Sequence, residues 1–412
     1  MTEFRNASTA VNRRRLLAGA AAVTTMIASP AIVRAQGAAL KVGVLLPRSG
    51  AQAGIGQDCF RGVELANPIF KSIGQPELEI MSADTETNVE VARSRAEKLI
   101  ADGAQLLMGA FDSGQSSAIA QVAEQKGIPF VINIAAAPPI TEQGYKFVFR
   151  NFPTAGMILS DAFANQKEVF AESGKEPKSV VFLHVNDTFG MAMKNGVGAV
   201  MPKFNMPYEI KETISYDPTA RDLSVEVSKA KATGADALLV VSRLNDAILL
   251  TRELVKQRWS PMGILSMGPG WYEDQYLKTL AKLGDGPLSF VPWYDPNKKL
   301  SKQLEAALEK KYPGINMNTN HIYTFEALLV AADAYKRAKT ADPKALADAI
   351  RATNITENVS TGPGISFDEK GQNVKLKNAA IQNRGGKLVT VAPKGATNAK
   401  AEWPMTAYDK RR

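Results

Sequence analysis

The 412-residue chain has one cysteine, Cys59, and two histidines, His184 and His321. A single thiol excludes an internal disulfide, and no Cys/His spacing suggests a zinc site. Cys59 lies too far along the chain to carry a lipid at a cleavage point, and it reads as a small buried residue on a helix face. Gly50, Gly54 and Gly56 follow the first strand, but their spacing is not that of a dinucleotide loop. No P-loop or G-x-S-x-G elbow occurs, and His184 has no evident nucleophile partner. These absences argue against an enzyme and give no reason to expect a cofactor or metal. After residue 35 there is no long apolar run, so no stable membrane insertion is expected.

The formal charge of +9 is partly an effect of the leader. Residues 1–35 hold Arg5, Arg13, Arg14, Arg15 and Arg34 against Glu3, a net of +4, which leaves +9 − 4 = +5 for the remainder. Arg13-Arg14-Arg15-Leu16-Leu17, an alanine-rich apolar run to about Ile32, and small residues at Val33-Arg34-Ala35 form an export signal of the twin-arginine kind. Cleavage is expected near Ala35, with the product in the periplasm. No basic stretch with interleaved aromatics remains, so no nucleic-acid partner is expected.

From residue 40 the pattern is regular α/β alternation. The stretch 105–140 sets the pattern: an apolar run ending at Phe111, the loop Asp112-Ser113-Gly114, a helix over 115–126 closed by Gly127, and a second apolar run over 128–134. A strand–loop–helix–strand unit of this size fits a parallel sheet, where ligands bind beyond the carboxyl ends of the strands. Strands are further predicted at 40–47, 77–83 and 146–149, with helices at 58–70 and 89–102 and a glycine-bearing loop at 48–57. A second series follows: helices at 155–173, 188–204, 223–233 and 246–258, with strands at 178–184, 208–215 and 235–242. After a strand at 288–293 come helices at 298–312, 321–339 and 343–353. Residues 364–367 and 376–382 read as a hairpin, and 395–412 as a polar tail without periodicity. Two series of similar order imply two lobes of similar architecture.

Taken in order, several stretches resemble the substrate-binding proteins of branched-chain-amino-acid-type ABC transporters, the type I periplasmic binding fold. They are Val44-Leu-Leu-Pro-Arg-Ser-Gly50 with Gly56 and Gly62, Gly127-Ile-Pro-Phe-Val131, Phe149-Arg150, and Asn186-Asp187-Thr-Phe-Gly190. Tyr216-Asp217, Gly234-Ala-Asp-Ala237, Thr324-Phe-Glu-Ala-Leu328 and Phe367-Asp-Glu-Lys-Gly371 extend the match. The resemblance spans residues 40–385. It implies two Rossmann-like α/β lobes with parallel central sheets, joined by three crossovers near Phe152, Trp293 and Phe367. Lobe one is then 37–153 plus 295–368, and lobe two 154–294 plus 369–412. It also implies a monomer that captures a small ligand and works with permease and ATPase subunits; a ligand-sensing module is the alternative.

In amino-acid-binding members, lobe-one hydroxyls and backbone groups hold the ligand. The matching positions are Ser113, Ile134 and Ala136, where Ala136 replaces the usual threonine. In lobe two the position after Val240-Val241-Ser242 carries Arg243, and no carboxylate appears in 266–272 before Glu273. A cation in place of an acid favours a ligand with a carboxylate and no amine. Phe111, Phe189, Trp271, Tyr272 and Trp293 fall at loops facing the expected cleft and suit a ring. Ser49 and Ile55, in the first loop, complete the expected site. An aromatic or phenylpropanoid-type acid is therefore favoured over branched-chain or other amino acids.

Overall fold

The computed structural model describes residues 1–2, 39–395 and 397–411, so the leader, apart from Met1 and Thr2, lies outside the described residues. Two sheets dominate the chain. The first takes β1 (Leu40–Leu46), β2 (Leu78–Asp84), β3 (Leu106–Gly109), β4 (Phe130–Ile132) and β5 (Val148–Arg150) in the order β2-β1-β3-β4-β5, parallel throughout. Between them run α1 (Ala53–Ser72), α2 (Val89–Ala101) and α3 (Ser113–Lys126). β1, β3 and β4 read as continuous apolar runs because both faces of a parallel sheet are covered.

The chain then crosses into α4 (Ala155–Ser173) and a second sheet. That sheet takes β6 (Ser179–Val185), α5 (Thr188–Val200), β7 (Glu209–Tyr216), α6 (Ser224–Ala232), β8 (Ala237–Val241), α7 (Leu244–Lys256), β9 (Ile264–Ser266), α8 (Asp274–Leu280) and β10 (Leu288–Pro292). After β10 it returns through α9 (Lys299–Lys311), α10 (Thr319–Ala338) and α11 (Pro343–Arg351), with α10 packed on α1, β3 and β4. A short pair, β11 (Asn354–Ile355) and β12 (Ile365–Ser366), leads to β13 (Asn378–Arg384) and β14 (Lys387–Ala392). The second sheet has the order β14-β13-β10-β9-β8-β6-β7, parallel from β7 to β10 and antiparallel at β13 and β14. Both lobes are thus α/β with parallel-rich sheets. Among the described residues no helix is long and apolar enough to cross a membrane.

Helix starts follow their caps. Asn88 accepts from the backbone N–H of Glu90 and Val91, and Thr154 from that of Met157, each cap worth about 1 kcal/mol. The helix after the first strand of each sheet, α1 or α5, presses a glycine onto the end of that strand. A Cβ on Gly56 would lie 2.0 Å from the Pro47 carbonyl oxygen, and one on Gly190 1.7 Å from that of Val185. That close approach explains why α1 begins at Ala53, inside the stretch expected to be loop.

Three further expectations are corrected. Residues 364–367 and 376–382 do not pair as a hairpin: β12 pairs with β11, and β13 lies between β10 and β14. β9 and β14 were not anticipated. The tail is tied down rather than loose, with Trp403, Met405 and Tyr408 buried and the Trp403 indole donating to the Lys175 carbonyl at 3.0 Å.

Candidate functional site

The carboxyl ends of both sheets face a common cleft, and a cavity of about 30 Å³ lies in it. Phe111 and Ser113, after β3, and Ile134 and Ala136, after β4, line it from the first lobe. Phe189, Arg243, Met267, Pro269, Tyr272 and Val291 line it from the second, with Phe152 and Ile158 at the first crossover. The sequence-based set therefore separates. Phe111, Ser113, Ile134, Ala136, Phe189 and Arg243 meet at the cavity. Ile55 lines an outer vestibule with Asp112, Asp187 and the far side of Arg243. Ser49 is engaged elsewhere, its N–H donating to Asp84 Oδ1 at 3.2 Å and its carbonyl accepting from Thr87 Oγ1 at 2.7 Å. Trp271 is fully buried behind the wall, its indole donating to Ser242 Oγ at 2.7 Å. Trp293 stacks edge-on against Tyr272 at 5.4 Å rather than lining the cavity. Neither tryptophan is among the lining residues because each completes the packing of β9 or β10.

Arg243 and the hydroxyls of Ser113 and Tyr272 are the hydrogen-bonding side chains of the lining, and no carboxylate is among them. Ser113 Oγ accepts from the N–H of Ala136 at 3.2 Å and of Ala137 at 3.4 Å, which leaves its own hydrogen to give. Arg243 is buried between two ring faces, Phe111 at 5.5 Å and Phe189 at 5.2 Å from its guanidinium carbon. Phe111 takes a left-handed conformation at φ 71°, and its N–H is held by Asn133 Oδ1 at 3.1 Å. A bulky residue there marks a site where surrounding contacts override local preference.

The guanidinium is committed to two carboxylates. Asp187 Oδ2 accepts from Nε at 3.1 Å and Nη2 at 2.6 Å, and Asp112 Oδ2 accepts from Nη2 at 2.7 Å across the cleft. Gln52 Nε2 adds a bond to the same Asp112 oxygen at 3.1 Å. Burial alone would lower the pKa of Arg243, but Asp187 and Asp112 outweigh it and raise it. Burial would likewise raise the Asp187 carboxyl, and the Arg243 charge instead lowers it. Asp246 takes the Arg243 backbone N–H at 2.8 Å and the Tyr216 hydroxyl at 2.9 Å, not the guanidinium. Sequence reasoning missed Asp112 and Asp187 because their pairing spans 131 and 56 positions. Their N-cap positions were the only local sign.

A second polar cluster lies behind Tyr272. Glu273 accepts from Asn320 Nδ2 at 2.8 Å and Asn318 Nδ2 at 3.4 Å, and Asn318 Nδ2 also reaches Asp58 Oδ2 at 3.2 Å. Asp58 is paired with Arg61, and His321 Nε2 stands 3.7 Å from it. Burial first, then the nearby Asp58 charge, pushes the Glu273 carboxyl well up. Burial pulls His321 down to about 4. Glu273 thus lies outside the lining of the cavity. Among the described residues no group of three or more His, Cys, Asp or Glu side chains is placed to hold a metal.

The loop carrying Ala135 to Ala137 is fixed by Arg150, which donates to the carbonyls of Ala135 at 3.3 Å and Ala137 at 2.6 Å, to Thr141 Oγ1 at 2.7 Å and to Gln372 Oε1 at 2.6 Å. Gln372 Nε2 in turn donates to the Phe152 carbonyl at 2.8 Å, so two crossover strands are tied together.

Known proteins share this architecture. A Leu/Ile/Val-binding protein homolog of Brucella abortus is 25% identical over 398 residues, covering 94% of this chain and 98% of the relative. The crystal structure of a leucine-binding protein from Thermotoga maritima matches with a TM-score of 0.74 at 21% identity, covering 86% of this chain and 98% of the other. A solute-binding protein of an ABC transporter from R. palustris, in complex with benzoate, matches with a TM-score of 0.73 at 21% identity, covering 89% and 99%. The family model for periplasmic binding protein matches residues 39–383, most of the length. The chain belongs to the periplasmic binding protein family.

Proposed function

We propose that the protein is the solute-capturing component of an ABC importer, and that its ligand is a small carboxylate without an amine, an aromatic or phenylpropanoid-type acid first. The observation that carries this is the presence of a cation and the absence of any carboxylate in the lining of an otherwise apolar cavity. Ser113 and Arg243 can each give a hydrogen bond, whereas the lining holds no acidic side chain to receive an ammonium. Phe111, Phe152, Phe189, Met267 and Tyr272 supply flat or adaptable apolar walls for a ring. The cavity of about 30 Å³ accommodates roughly two waters. A ring acid is larger, so capture requires the lobes to part and re-close about the crossovers. In this reading lobe one is 37–153 plus 295–368 and lobe two 154–294 plus 369–412. The leader is removed near Ala35 in export, and permease and ATPase subunits receive the loaded form.

Support comes also from the R. palustris relative in complex with benzoate. Titration calorimetry of the mature chain against benzoate, cinnamate, leucine and their amides tests the reading. Saturable binding of the acids without binding of leucine is expected. Binding confined to leucine-like amino acids would overturn the ligand class and leave the fold intact.

A further inference from the structure

We propose that Asp112 sets the charge selectivity of the cleft, holding Arg243 across the lobes so that the site accepts one negative charge on a ligand and rejects two. The inference rests on the carboxylate reading above. Arg243 has five N–H groups. Nε and Nη2 are taken by Asp187 and Asp112, and the hydrogen bonds of the guanidinium found among the described residues leave Nη1 out. One nitrogen is therefore left for a ligand oxygen, beside the Ser113 hydroxyl.

The charges around that nitrogen are counted from named groups. Asp112, Asp187 and Asp246 are the acids around the one positive charge of Arg243, Asp246 accepting from the Tyr216 hydroxyl and the Arg243 backbone N–H. Asp112, Asp187 and Arg243 are the N-cap residues of α3, α5 and α7, so three helix N-termini converge here. Each such end acts as about half a positive charge, which offsets most of the net negative of these side chains. A single carboxylate meets a nearly neutral, donor-rich corner. A second carboxylate on the same ligand would face Phe152, Met267, Tyr272 and Val291, where nothing pairs with it.

Asp112 can be separated from its local duty. Its Oδ1 caps α3, accepting from the N–H of Gly114 at 2.8 Å and Gln115 at 3.1 Å, while Oδ2 alone serves Arg243 and Gln52. Asparagine caps as well as aspartate, so Asp112→Asn removes the charge and keeps the helix start. Lost closure would weaken all ligands alike, so the readout is a ratio. Calorimetry at pH 7 would compare benzoate, benzamide and phthalate on the natural chain and on Asp112→Asn. The benzoate-to-benzamide affinity ratio is expected to rise at least tenfold, while phthalate, whose second carboxylate meets the unpaired apolar wall, stays excluded from both chains. Asp187→Asn provides a second variant and should move the ratio in the same direction. A ratio unchanged in both variants overturns the role of Asp112. Failure of the natural chain to bind either benzoate or benzamide overturns the carboxylate reading itself.

Discussion

Two buried acid clusters flank the cavity, and they handle charge in opposite ways. At Arg243, two aspartates pair with a guanidinium beside three helix N-termini, and the Arg243 charge lowers the Asp187 carboxyl against its burial. At Glu273, the neighbours are amides, another carboxyl and a neutral histidine, and burial favours the protonated acid. Residue type does not decide the state of a buried acid; its donors and counter-charges do. The first cluster can therefore answer a ligand's charge, whereas the second answers pH.

The largest expected effect comes from removing the cation of the first cluster. Arg243→Ala strands Asp112 and Asp187 and takes away a ligand donor, and should weaken acid binding by roughly 2–5 kcal/mol. Unchanged affinity in calorimetry would remove Arg243 from the site.

The second cluster is tested by pH. The unfolded-state pKa of Glu273 is about 4.3, and its folded value is raised, so the folded state holds an extra proton above that pH. Its stabilising contribution is complete below about 4.3 and falls by about 1.4 kcal/mol per pH unit on the way up to the folded value. His321 works the other way, with a folded value of about 4 against an ordinary value of 6.5. Its contribution is complete above 6.5 and is lost as pH falls toward 4. The two slopes oppose one another over the pH range between the two ordinary values and leave Glu273 alone above it. Glu273→Gln should then gain stability relative to the natural chain as pH rises from 5 to 8 in urea melts. Parallel curves would show that Glu273 is ionised in the fold.

Smaller effects follow. Ser113→Ala deletes one donor and should cost about 1 kcal/mol of acid binding. A loss confined to folding stability would place Ser113 in loop support only. Burial raises the Cys59 thiol, so iodoacetamide should leave it unmodified until urea unfolds the chain.

The lobes and most of the cavity were legible because both rest on local periodicity. The apolar runs closing at Phe111, Ile134 and Ser242 end just past β3, β4 and β8, and in a parallel sheet those ends face the ligand. Trp271 and Trp293 show the limit: a loop aromatic can turn inward or outward with the same neighbours in sequence. The partnership of β13 with β10 was hidden because nothing near residue 380 encodes a partner near 290. Trp403, Met405 and Tyr408 keep no single period, so a segment anchored by three side chains read as a polar tail without periodicity.

Arg150 ties the loop of Ala135 to Ala137 and the Gln372 segment to one buried guanidinium, with Gln372 bonded on to Phe152. Two of the three connecting strands are thereby one mechanical part. In the capture proposed above, a movement of either strand would therefore be felt by the other and by the Ala136 wall. In the language of levers, Arg150 is the pin that couples the jaw to its joint.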